Sequence, residues 1–355
     1  MVYNFNAGPS HLPDEVTEEA KKGLSNFSNT GLSILEIGHR TPAFSDVMEE
    51  ARQLMRDLMH LDSDHEVLFL HGGATTQFMQ VPMNLLDSNE TMAIAHTGVW
   101  SQKAIQEAEC FGKVQITGSS ESENFNFIPK GFTIPSDAKY FHLTTNNTIY
   151  GTEWHDIPIS PIPVVADMSS DILSCHRDFN SFALIYAGAQ KNAGAAGATI
   201  VVVDKKILGT IKRVIPPIMD YRDHIKAKSV LNTPPVFAIY ISMLTLRWLK
   251  KQGGVKGVEP LNREKARLLY DALDNSKHFK GTAKREDRSF MNVSFVAKEP
   301  AVEKAFLDFA AQKNIYGIKG HRKVGGFRAS LYNAVSLDNV KYLVKVLQEF
   351  ESTYH

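Results

Sequence analysis

The sequence predicts an α/β fold with a mainly parallel sheet, followed by a smaller α+β unit. Between residues 65 and 167, short apolar runs alternate with helical patterns, as in parallel strands joined by helices. Small or polar residues follow each of these strands, at the edge where open α/β sheets bind ligands. After Gly253-Gly254 the composition becomes more polar and the pattern changes to α+β. We therefore expect a large domain over residues 15–255 and a small domain over 256–355, with 1–14 as an extended amino-terminal segment.

Hydrophobic spacing and turn residues predict the elements in order. Pro9 and Pro13 mark the first residues as extended, and Asp14 is expected to cap a helix over 15–25. Apolar residues recur at helical spacing between Val47 and Leu61, which predicts a helix over 45–61. The other helices of the large domain are predicted at 78–85, 101–110 and 237–250, and its strands at 65–70, 91–96, 113–117, 140–144, 163–166, 182–187 and 198–203. In the small domain, helices are predicted at 262–273, 300–312 and 337–350, and strands at 291–296 and 328–332.

Length and composition exclude several classes of protein. The chain has 355 residues, which allows two domains, and its 43% hydrophobic content is enough for a substantial core. Lys plus Arg and Asp plus Glu number 39 each, so we expect no general attraction to nucleic acid or to an anionic membrane. The two cysteines, Cys110 and Cys175, are too few for a disulfide framework or a cysteine-based metal site, and no metal is expected. The first residues show no signal-peptide pattern, and no run approaches the roughly 18 apolar residues of a membrane span, so we expect a cytoplasmic protein.

Lys191 is the single large cation in a bed of glycine and alanine between the predicted strands 182–187 and 198–203. Glycines let another group approach the backbone closely. A lysine in such a cradle can lose water, which lowers its pKa and makes it a nucleophilic amine, as a Schiff-base lysine for pyridoxal phosphate must be. Taken alone, the stretch is also compatible with a solvated lysine at the tip of a Gly/Ala turn.

The segment from His71 to Phe78 has a strand that runs into a double glycine before a helix begins. Backbone N–H groups at a helix start point outward, and the helix dipole favours an anion there. The spacing matches neither a P-loop nor a dinucleotide fingerprint. A phosphate site and an ordinary glycine turn capped by threonine both fit this segment.

One cofactor accounts for the small and polar residues at the strand ends. Pyridoxal phosphate needs an amine for its aldehyde, an acid for its pyridine nitrogen, a flat surface for its ring and a cradle for its phosphate. Lys191 can supply the amine, Asp167 the acid and Trp100 the surface. Thr148 and Gln190 can hydrogen-bond the ring hydroxyl or the phosphate. Each residue alone has a plainer explanation: Asp167 as a turn cap and Trp100 as a core residue.

Segments in the same order along nearly the whole chain resemble the phosphoserine aminotransferases, a family of class V pyridoxal-phosphate-dependent transaminases. The segments are FNAGPS, HGGATTQF, HTGVWS, TNNTIYGTEW, ADMSSDILS, YAGAQKNAG, NTPP and GGFRASLYNA. YAGAQKN together with HR(x)VGGFRASLYNA is specific to that family within the wider class. The resemblance implies the type I fold of pyridoxal-phosphate-dependent transferases, with a large and a small domain, and a homodimer.

The resemblance also implies the reaction and its residues. Glutamate would give its amino group to 3-phosphooxypyruvate, which yields 2-oxoglutarate and O-phosphoserine, with Lys191 and Asp167 as catalytic residues. The cofactor-binding residues that it implies are Ala74, Thr75, Trp100, Thr148, Asp167, Gln190 and Lys191, with Asn232 and Thr233 reaching the cofactor phosphate of the neighbouring subunit. Some family members carry an arginine where Thr75 stands, so this chain lacks one charge that assists in binding the substrate's anionic group. The resemblance leaves open a second substrate, 4-phosphohydroxythreonine of pyridoxine biosynthesis.

Cationic side chains are the candidates for binding the substrates, and they are His39, Arg40, His321, Arg322 and Arg328. Arginines usually lie at the surface, but Arg328 is in a predicted strand between Phe327 and Ala329, where a free charge is costly. A planar guanidinium binds a carboxylate through two hydrogen bonds. The resemblance places Arg328 on the substrate α-carboxylate and the two His-Arg pairs on the phosphate or the side-chain carboxylate of glutamate.

We expect Lys191 to act as general base after the substrate amine displaces it, with ping-pong kinetics over the two half-reactions. Two other functions are weighed against this one. A cysteine desulfurase needs a mobile reactive cysteine in a Gly/Ser-rich loop of the carboxyl-terminal half, and neither Cys110 nor Cys175 lies in one. The intact set of Lys191, Asp167 and Arg328 argues against a protein that carries the cofactor without turnover. A glutamate-dependent absorbance shift that accompanies turnover would distinguish an aminotransferase from such a protein.

Overall fold

A computed structural model describes residues 2–354. Its strands are, in chain order, Tyr3–Asn4 (β1), His65–Leu70 (β2), Thr91–His96 (β3), Lys113–Ser119 (β4), Tyr140–Thr144 (β5), Asn146–Asn147 (β6), Thr152–Glu153 (β7), Val164–Asp167 (β8), Leu184–Gly188 (β9), Thr199–Asp204 (β10), Phe279–Gly281 (β11), Asn292–Ala297 (β12), Ile315–Tyr316 (β13) and Phe327–Ser330 (β14). Its α-helices are Asp14–Ser25 (α1), Pro42–Met59 (α2), Gly73–Leu85 (α3), Val99–Ala108 (α4), Tyr221–Lys226 (α5), Val236–Lys251 (α6), Gly254–Asp274 (α7), Pro300–Gln312 (α8) and Leu337–Thr353 (α9).

The central sheet has seven strands in the order β2-β10-β9-β8-β5-β3-β4. All neighbours from β9 to β4 run parallel, while β10 runs antiparallel to both β9 and β2. Every residue of β5 and β8 is buried, as expected for central strands that are covered on both faces. The predicted α/β fold with a mainly parallel sheet is therefore confirmed.

Helices cover both faces of this sheet because side chains alternate along each strand. In β2, Val67 and Phe69 pack into the core formed with α2 and α6, whereas Leu68 and Leu70 pack into the core formed with α3 and α4. With the helices on both faces, the turns that follow the parallel strands gather at one edge of the sheet.

A second core lies around the antiparallel sheet β11-β12-β14 and the helices α7, α8 and α9. Aromatic rings fill its centre, with the Phe295 and Phe327 rings stacked at 4.9 Å. The amino terminus also joins this core, because β1 pairs with β13 and Phe5 is fully buried there. Helix α7 belongs to both cores, since Val255 and Val258 pack in the first core and its later turns in the second.

Several elements begin earlier than the sequence pattern predicts. Helix α3 begins at Gly73 rather than at residue 78, because the positive φ of Gly72 lets the chain turn directly out of β2. Helix α7 begins at Gly254 rather than at residue 262, and Pro260 lies inside it. Asp14 is the first residue of α1 rather than its cap. No helix in the described part of the chain, residues 2–354, is long and apolar enough to cross a membrane.

Candidate active site

Turns that follow β2, β3, β5, β8 and β9 enclose a cavity of about 240 Å³ at the carboxyl edge of the central sheet. Seven of the nine predicted cofactor-binding residues line it, namely Ala74, Thr75, Trp100, Thr148, Asp167, Gln190 and Lys191. Parallel strands bring residues that are more than 100 positions apart in the sequence to this one edge.

Lys191 lies in the turn between β9 and β10, and its side chain ends inside the cavity. Its Nζ donates a hydrogen bond of 2.8 Å to Thr148 Oγ1 and lies 5.4 Å from the centre of the Trp100 ring. Burial lowers the pKa of Lys191 to about 8, which the carboxylate of Asp167 opposes and the charge of Arg328 assists. The free, nucleophilic amine is therefore well populated at mildly alkaline pH.

Asp167 ends β8 with its side chain buried against the cavity. Its Oδ1 accepts hydrogen bonds from Ser169 N at 2.9 Å and from Ser169 Oγ at 2.6 Å, whereas its Oδ2 accepts none from residues 2–354. Burial raises the pKa of the Asp167 carboxyl, and the hydrogen bonds from Ser169 lower it again. The second oxygen is thus left to accept a hydrogen bond from a ligand N–H.

Trp100 stands at the start of α4, directly after the turn Thr97-Gly98. Its ring lines the cavity, and its Nε1 is buried without a hydrogen-bond partner in the described chain. A buried donor of this kind is rare in folded proteins and fits a polar acceptor on a ligand.

The turn between β2 and α3 places the first turn of α3, with Ala74 and Thr75, in the wall of the cavity. Gly72 and Gly73 have φ of 87° and 65°, which residues with a Cβ rarely adopt. A Cβ on Gly72 would lie 1.8 Å from Thr76 Oγ1. The first N–H groups of a helix have no partner within it, and the helix dipole favours an anion there, so this turn fits a phosphate.

These residues together fit pyridoxal phosphate. An amine of lowered pKa, a buried carboxyl with a free oxygen, an aromatic ring and a helix start converge on one cavity. They are the four kinds of group that this cofactor needs for its aldehyde, pyridine nitrogen, ring and phosphate.

The amino-terminal segment covers the lysine turn, a contact that no sequence pattern predicted. Ser10 N donates to Gln190 O at 3.0 Å, and Ser10 Oγ donates to Lys191 O. Gly8 lies against the lysine stem, since a Cβ there would be 3.4 Å from Lys191 Cγ. Ser10 and Ser169 both lie in segments that carry the family resemblance, FNAGPS and ADMSSDILS, which is the signal that could have identified them.

Arg328 reaches the same region from β14, in the second core. Its Nη1 donates to Thr148 O at 3.2 Å, and its Nε is buried without a partner among the described residues. Burial lowers the pKa of His321, and the charge of Arg328 lowers it further. Arg322 is exposed in the same connection between β13 and β14.

His39, Arg40, Asn232 and Thr233 do not line the Lys191 cavity of their own chain. Arg40 is exposed just before α2, and the buried Nε2 of His39 has no partner in the part of the chain that is described. Thr233 is exposed, and its carbonyl oxygen accepts a hydrogen bond of 2.7 Å from His71 Nε2. Residues 232–233 therefore lie beside the β2–α3 turn without entering the cavity.

Neither cysteine is placed for chemistry at this cavity. Cys110 is exposed after the end of α4, and burial raises the pKa of the Cys175 thiol to about 12. A thiol with so high a pKa is a poor nucleophile. Within residues 2–354 no group of three His, Cys, Asp or Glu side chains is arranged to hold a metal ion.

Comparison with known proteins gives a match over nearly the whole chain. Residues 2–343 match the family described as aminotransferase class-V. A phosphoserine aminotransferase of Flavobacterium johnsoniae is 51% identical over 351 residues, which cover 99% of this chain and 99% of that protein. A phosphoserine aminotransferase of Porphyromonas gingivalis is 50% identical over 359 residues, with 99% of each chain covered.

Solved structures agree with these relatives. The phosphoserine aminotransferase from Bacillus circulans subsp. alkalophilus superposes with a TM-score of 0.97 at 40% identity, over 100% of this chain and 99% of that one. A phosphoserine aminotransferase studied for radiation damage of its Schiff base superposes with a TM-score of 0.97 at 42% identity, over 99% of both chains.

Proposed function

This chain belongs to the class-V aminotransferase family, among its phosphoserine aminotransferases, and from that premise we propose how its residues share the work of the reaction. The enzyme is a pyridoxal-phosphate-dependent aminotransferase of serine biosynthesis, which transfers the amino group of glutamate to 3-phosphooxypyruvate and forms O-phosphoserine. The observation that carries the residue assignment is the convergence of Lys191, Asp167 and Trp100 on one cavity.

We assign the cofactor contacts from that cavity. Pyridoxal phosphate, when bound, supplies an aldehyde carbon that takes up an amino group and a pyridinium ring that withdraws electrons from the substrate α-carbon. Lys191 Nζ would hold the aldehyde end, and Asp167 Oδ2 would hold a proton on the pyridine nitrogen. The Trp100 ring would cover one face, and the first N–H groups of α3, at Ala74 and Thr75, would bind the phosphate.

Thr148 and Gln190 would complete the ring contacts by hydrogen bonds to its hydroxyl or to the phosphate. Thr148 already accepts from Lys191 Nζ, so it keeps the amine pointed into the cavity. When it is not engaged with the cofactor, Lys191 Nζ would act as general base, taking up the substrate α-proton and giving it back later in the amino transfer. Burial of Lys191, which favours the neutral amine, suits this role of general base.

We propose that Arg328 binds the substrate α-carboxylate, and that the His39-Arg40 and His321-Arg322 pairs bind the phosphate or the side-chain carboxylate of glutamate. The support for Arg328 is its buried Nε, which has no partner in residues 2–354, next to the Thr148 backbone. The support for His321 is that the charge of Arg328 acts on it and lowers its pKa.

Substrate preference tests this assignment of Arg328 to the α-carboxylate and of the His-Arg pairs to the phosphate. Arg322→Ala should weaken kcat/KM for phosphoserine about ten- to a hundredfold and leave that for serine nearly unchanged, because only phosphoserine carries the phosphate. Arg328→Ala should lower both alike, since the α-carboxylate is common to them. Equal losses on both substrates in Arg322→Ala would show that this arginine does not bind the phosphate.

We propose a homodimer in which His39, Arg40, Asn232 and Thr233 act on the cavity of the neighbouring subunit. These four residues do not line the cavity of their own chain and, unlike Arg328, none of them hydrogen-bonds a lining residue within residues 2–354. A large apolar side chain is exposed beside the first of these stretches, since Leu35, four residues before His39, is 65% exposed. Such exposure fits a surface that a second copy covers.

Mixing two inactive variants tests the shared site. If Arg40 serves the neighbouring subunit, a hybrid of Lys191→Ala and Arg40→Ala chains has one site with both residues intact. Random reassortment should then recover about a quarter of the wild-type sites. The mixture stays inactive if Arg40 serves its own chain, and light scattering of the wild type measures the dimer itself.

We also propose the domain division at residues 15–255 and 256–355 and a cytoplasmic location. The separate core around β11, β12 and β14 supports the division, although α7 packs in both cores. Cell fractionation tests the location.

A coupled assay tests the function and its range of substrates. Holoenzyme should show a glutamate-dependent absorbance change and turnover with 3-phosphooxypyruvate, and Lys191→Ala should show neither. Absorbance change without turnover would indicate a cofactor-carrying binding protein. The oxo acid of 4-phosphohydroxythreonine, tested in parallel, decides whether pyridoxine biosynthesis is a second role.

A further inference from the structure

A second buried carboxylate, Asp171, lies four residues after Asp167 and takes no part in the reaction as described above. Its side chain has no exposed surface and pairs with Arg177 Nη2 at 3.1 Å. Its Oδ1 also accepts a hydrogen bond from Thr145 Oγ1. A buried charge is costly unless it is paired, and these two partners stabilise Asp171 where it lies.

Thr145 connects Asp171 to the end of β8. Thr145 N donates to Asp167 O at 3.0 Å, and Thr145 Oγ1 lies 3.1 Å from the same oxygen. Thr145 also begins the segment that carries Thr148, the partner of Lys191 Nζ. Asp171 thus holds the residue that joins the ends of β5 and β8, where two of the cofactor contacts arise.

The charge of Asp171 acts on the same groups. Of the described residues that line the cavity, Asp167 is the only carboxylate, while Lys191 and the nearby Arg328 are both cations. The negative charge of Asp171 raises the pKa of Lys191, although burial, Asp167 and Arg328 influence this pKa more strongly. It also raises the pKa of Asp167.

We propose that Asp171 is a positioning residue of the cofactor site, which holds the ends of β5 and β8 through Thr145 and balances the positive charge of Lys191 with its own negative charge. This inference rests on the proposed cofactor site at Lys191. The titratable and charged groups that surround Asp171 are Asp167, Lys191, Arg177, Cys175, Glu153 and Tyr332.

Asp171→Asn removes the charge and can keep both contacts. The amide oxygen can accept from Arg177, and the amide N–H can donate to Thr145 Oγ1, whose own hydrogen then goes to Asp167 O. The visible absorbance of the Lys191-bound cofactor is followed against pH in purified holoenzyme. We expect the pKa that this absorbance change reports to fall by roughly one pH unit in Asp171→Asn, the order expected for the loss of one buried charge. The reason is that the protonated form of the Lys191 nitrogen loses a nearby negative partner.

Glu153→Gln is the matched control. Glu153 also belongs to this ion-pair group, 3.6 Å from Arg177, but its charge has no part in the lowered pKa of Lys191. We expect the absorbance pKa of this variant to stay within about 0.2 pH units of the wild type. Asp171→Ser, which also removes the charge, should shift the absorbance pKa in the same direction as Asp171→Asn.

An unchanged absorbance pKa in Asp171→Asn and Asp171→Ser, or equal falls in Asp171→Asn and Glu153→Gln, would overturn the role of Asp171. A merely structural residue would change thermal stability without this selective shift. Wild-type enzyme without a lysine-bound absorbance would instead contradict the cofactor site at Lys191.

Discussion

Lys191 acquires its lowered pKa from groups that lie far from it in the sequence. Thr148 comes from the segment after β5 and Arg328 from β14, and burial among these groups and the charge of Arg328 favour the neutral amine, whereas Asp167, at the end of β8, opposes it. The small neighbours of Lys191 in the sequence make room for this packing, but they do not themselves supply the charges.

The lowered pKa of Lys191 predicts a pH dependence of apoenzyme stability. An unfolded lysine has a pKa near 10.4, and the folded Lys191 has one of about 8. Between these values the unfolded chain binds one more proton than the folded chain, so the free energy of unfolding rises with pH through this window. Lys191→Met has no amine at this position and so lacks this pH-dependent contribution to stability. We therefore expect the variant apoenzyme to be more stable than the wild type by on the order of 2–4 kcal/mol at pH 7.

That difference should shrink as the pH rises toward 10. Urea unfolding of both apoenzymes at fixed protein concentration, between about pH 7 and 10, measures it. Lys256→Met, which replaces an exposed lysine of α7, should show no such trend. A wild-type-minus-variant difference that does not change with pH would show that Lys191 keeps an ordinary pKa.

At the scale of elements, the turn between β2 and α3 shows how a backbone conformation creates a site. The sequence predicted the strand and a turn at the two glycines, but the helix begins five residues earlier than predicted, at Gly73. Left-handed backbone at Gly72 and Gly73 allows this early start and presents the first N–H groups of α3 beside the cavity.

Gly72→Ala should therefore damage both stability and phosphate binding. An alanine at this position would have to adopt left-handed backbone, at a cost of about 1–2 kcal/mol. Its Cβ would also collide with Thr76, and relieving the collision would displace the first turn of α3. Gly131→Ala is the control, because Gly131 also has a positive φ of 74° but has open space around a Cβ. We expect Gly72→Ala to lower the free energy of unfolding more than Gly131→Ala and to weaken cofactor affinity, which Gly131→Ala leaves unchanged. Similar cofactor affinity in both variants would argue against a phosphate site at this turn.

At the scale of the molecule, the site depends on polar contacts that join the two cores. Asn333 N donates to Asn192 Oδ1 at 2.8 Å, next to Lys191, and Tyr332 Oη donates to Ala7 O at 2.8 Å. Both residues follow β14, which carries Arg328. The segment after β14 is held in turn by Lys265 of α7, whose Nζ donates to the carbonyl oxygens of residues 331, 332 and 335 at 2.8–2.9 Å.

Lys265→Met should weaken the attachment of the segment after β14, residues 331–335, here termed the joint between the two cores. Methionine fills a similar volume, but it leaves the carbonyl oxygens of residues 331 and 335 without this donor, whereas that of Tyr332 still accepts from Val335 N at 2.9 Å. The lost hydrogen bonds should cost about 2 kcal/mol or more of unfolding free energy. Part of this cost is offset, because methionine removes a buried amine whose pKa burial lowers to about 7. We expect kcat/KM to fall as well, because Arg328 and Asn333 both depend on the position of this segment. Lys256→Met on the same helix is the control for stability and activity. Wild-type activity in Lys265→Met would mean that the joint does not set the geometry of the site.

The sequence alone determined the α/β class, the strands of the central sheet to within two residues, the small-residue setting of Lys191 and the candidates Asp167 and Trp100. These follow from local causes, since hydrophobic periodicity and turn residues act over a few positions of the chain. Asp167 and Trp100 could be named as candidates because Asp167 directly follows the predicted strand 163–166 and Trp100 comes soon after the predicted strand 91–96, at the edge where ligands bind.

Only the tertiary structure decided which distant groups meet. The hydrogen bond of Ser10 to Lys191, the approach of Arg328 to Thr148 and the burial of Asp171 against Thr145 and Arg177 join residues from separate elements. No periodicity encodes such contacts, because they depend on the strand order of the sheet and on how the second core packs against the first. The lowered pKa of Lys191 is decided at that level for the same reason: burial and charge are properties of the space around a side chain, which the whole fold creates.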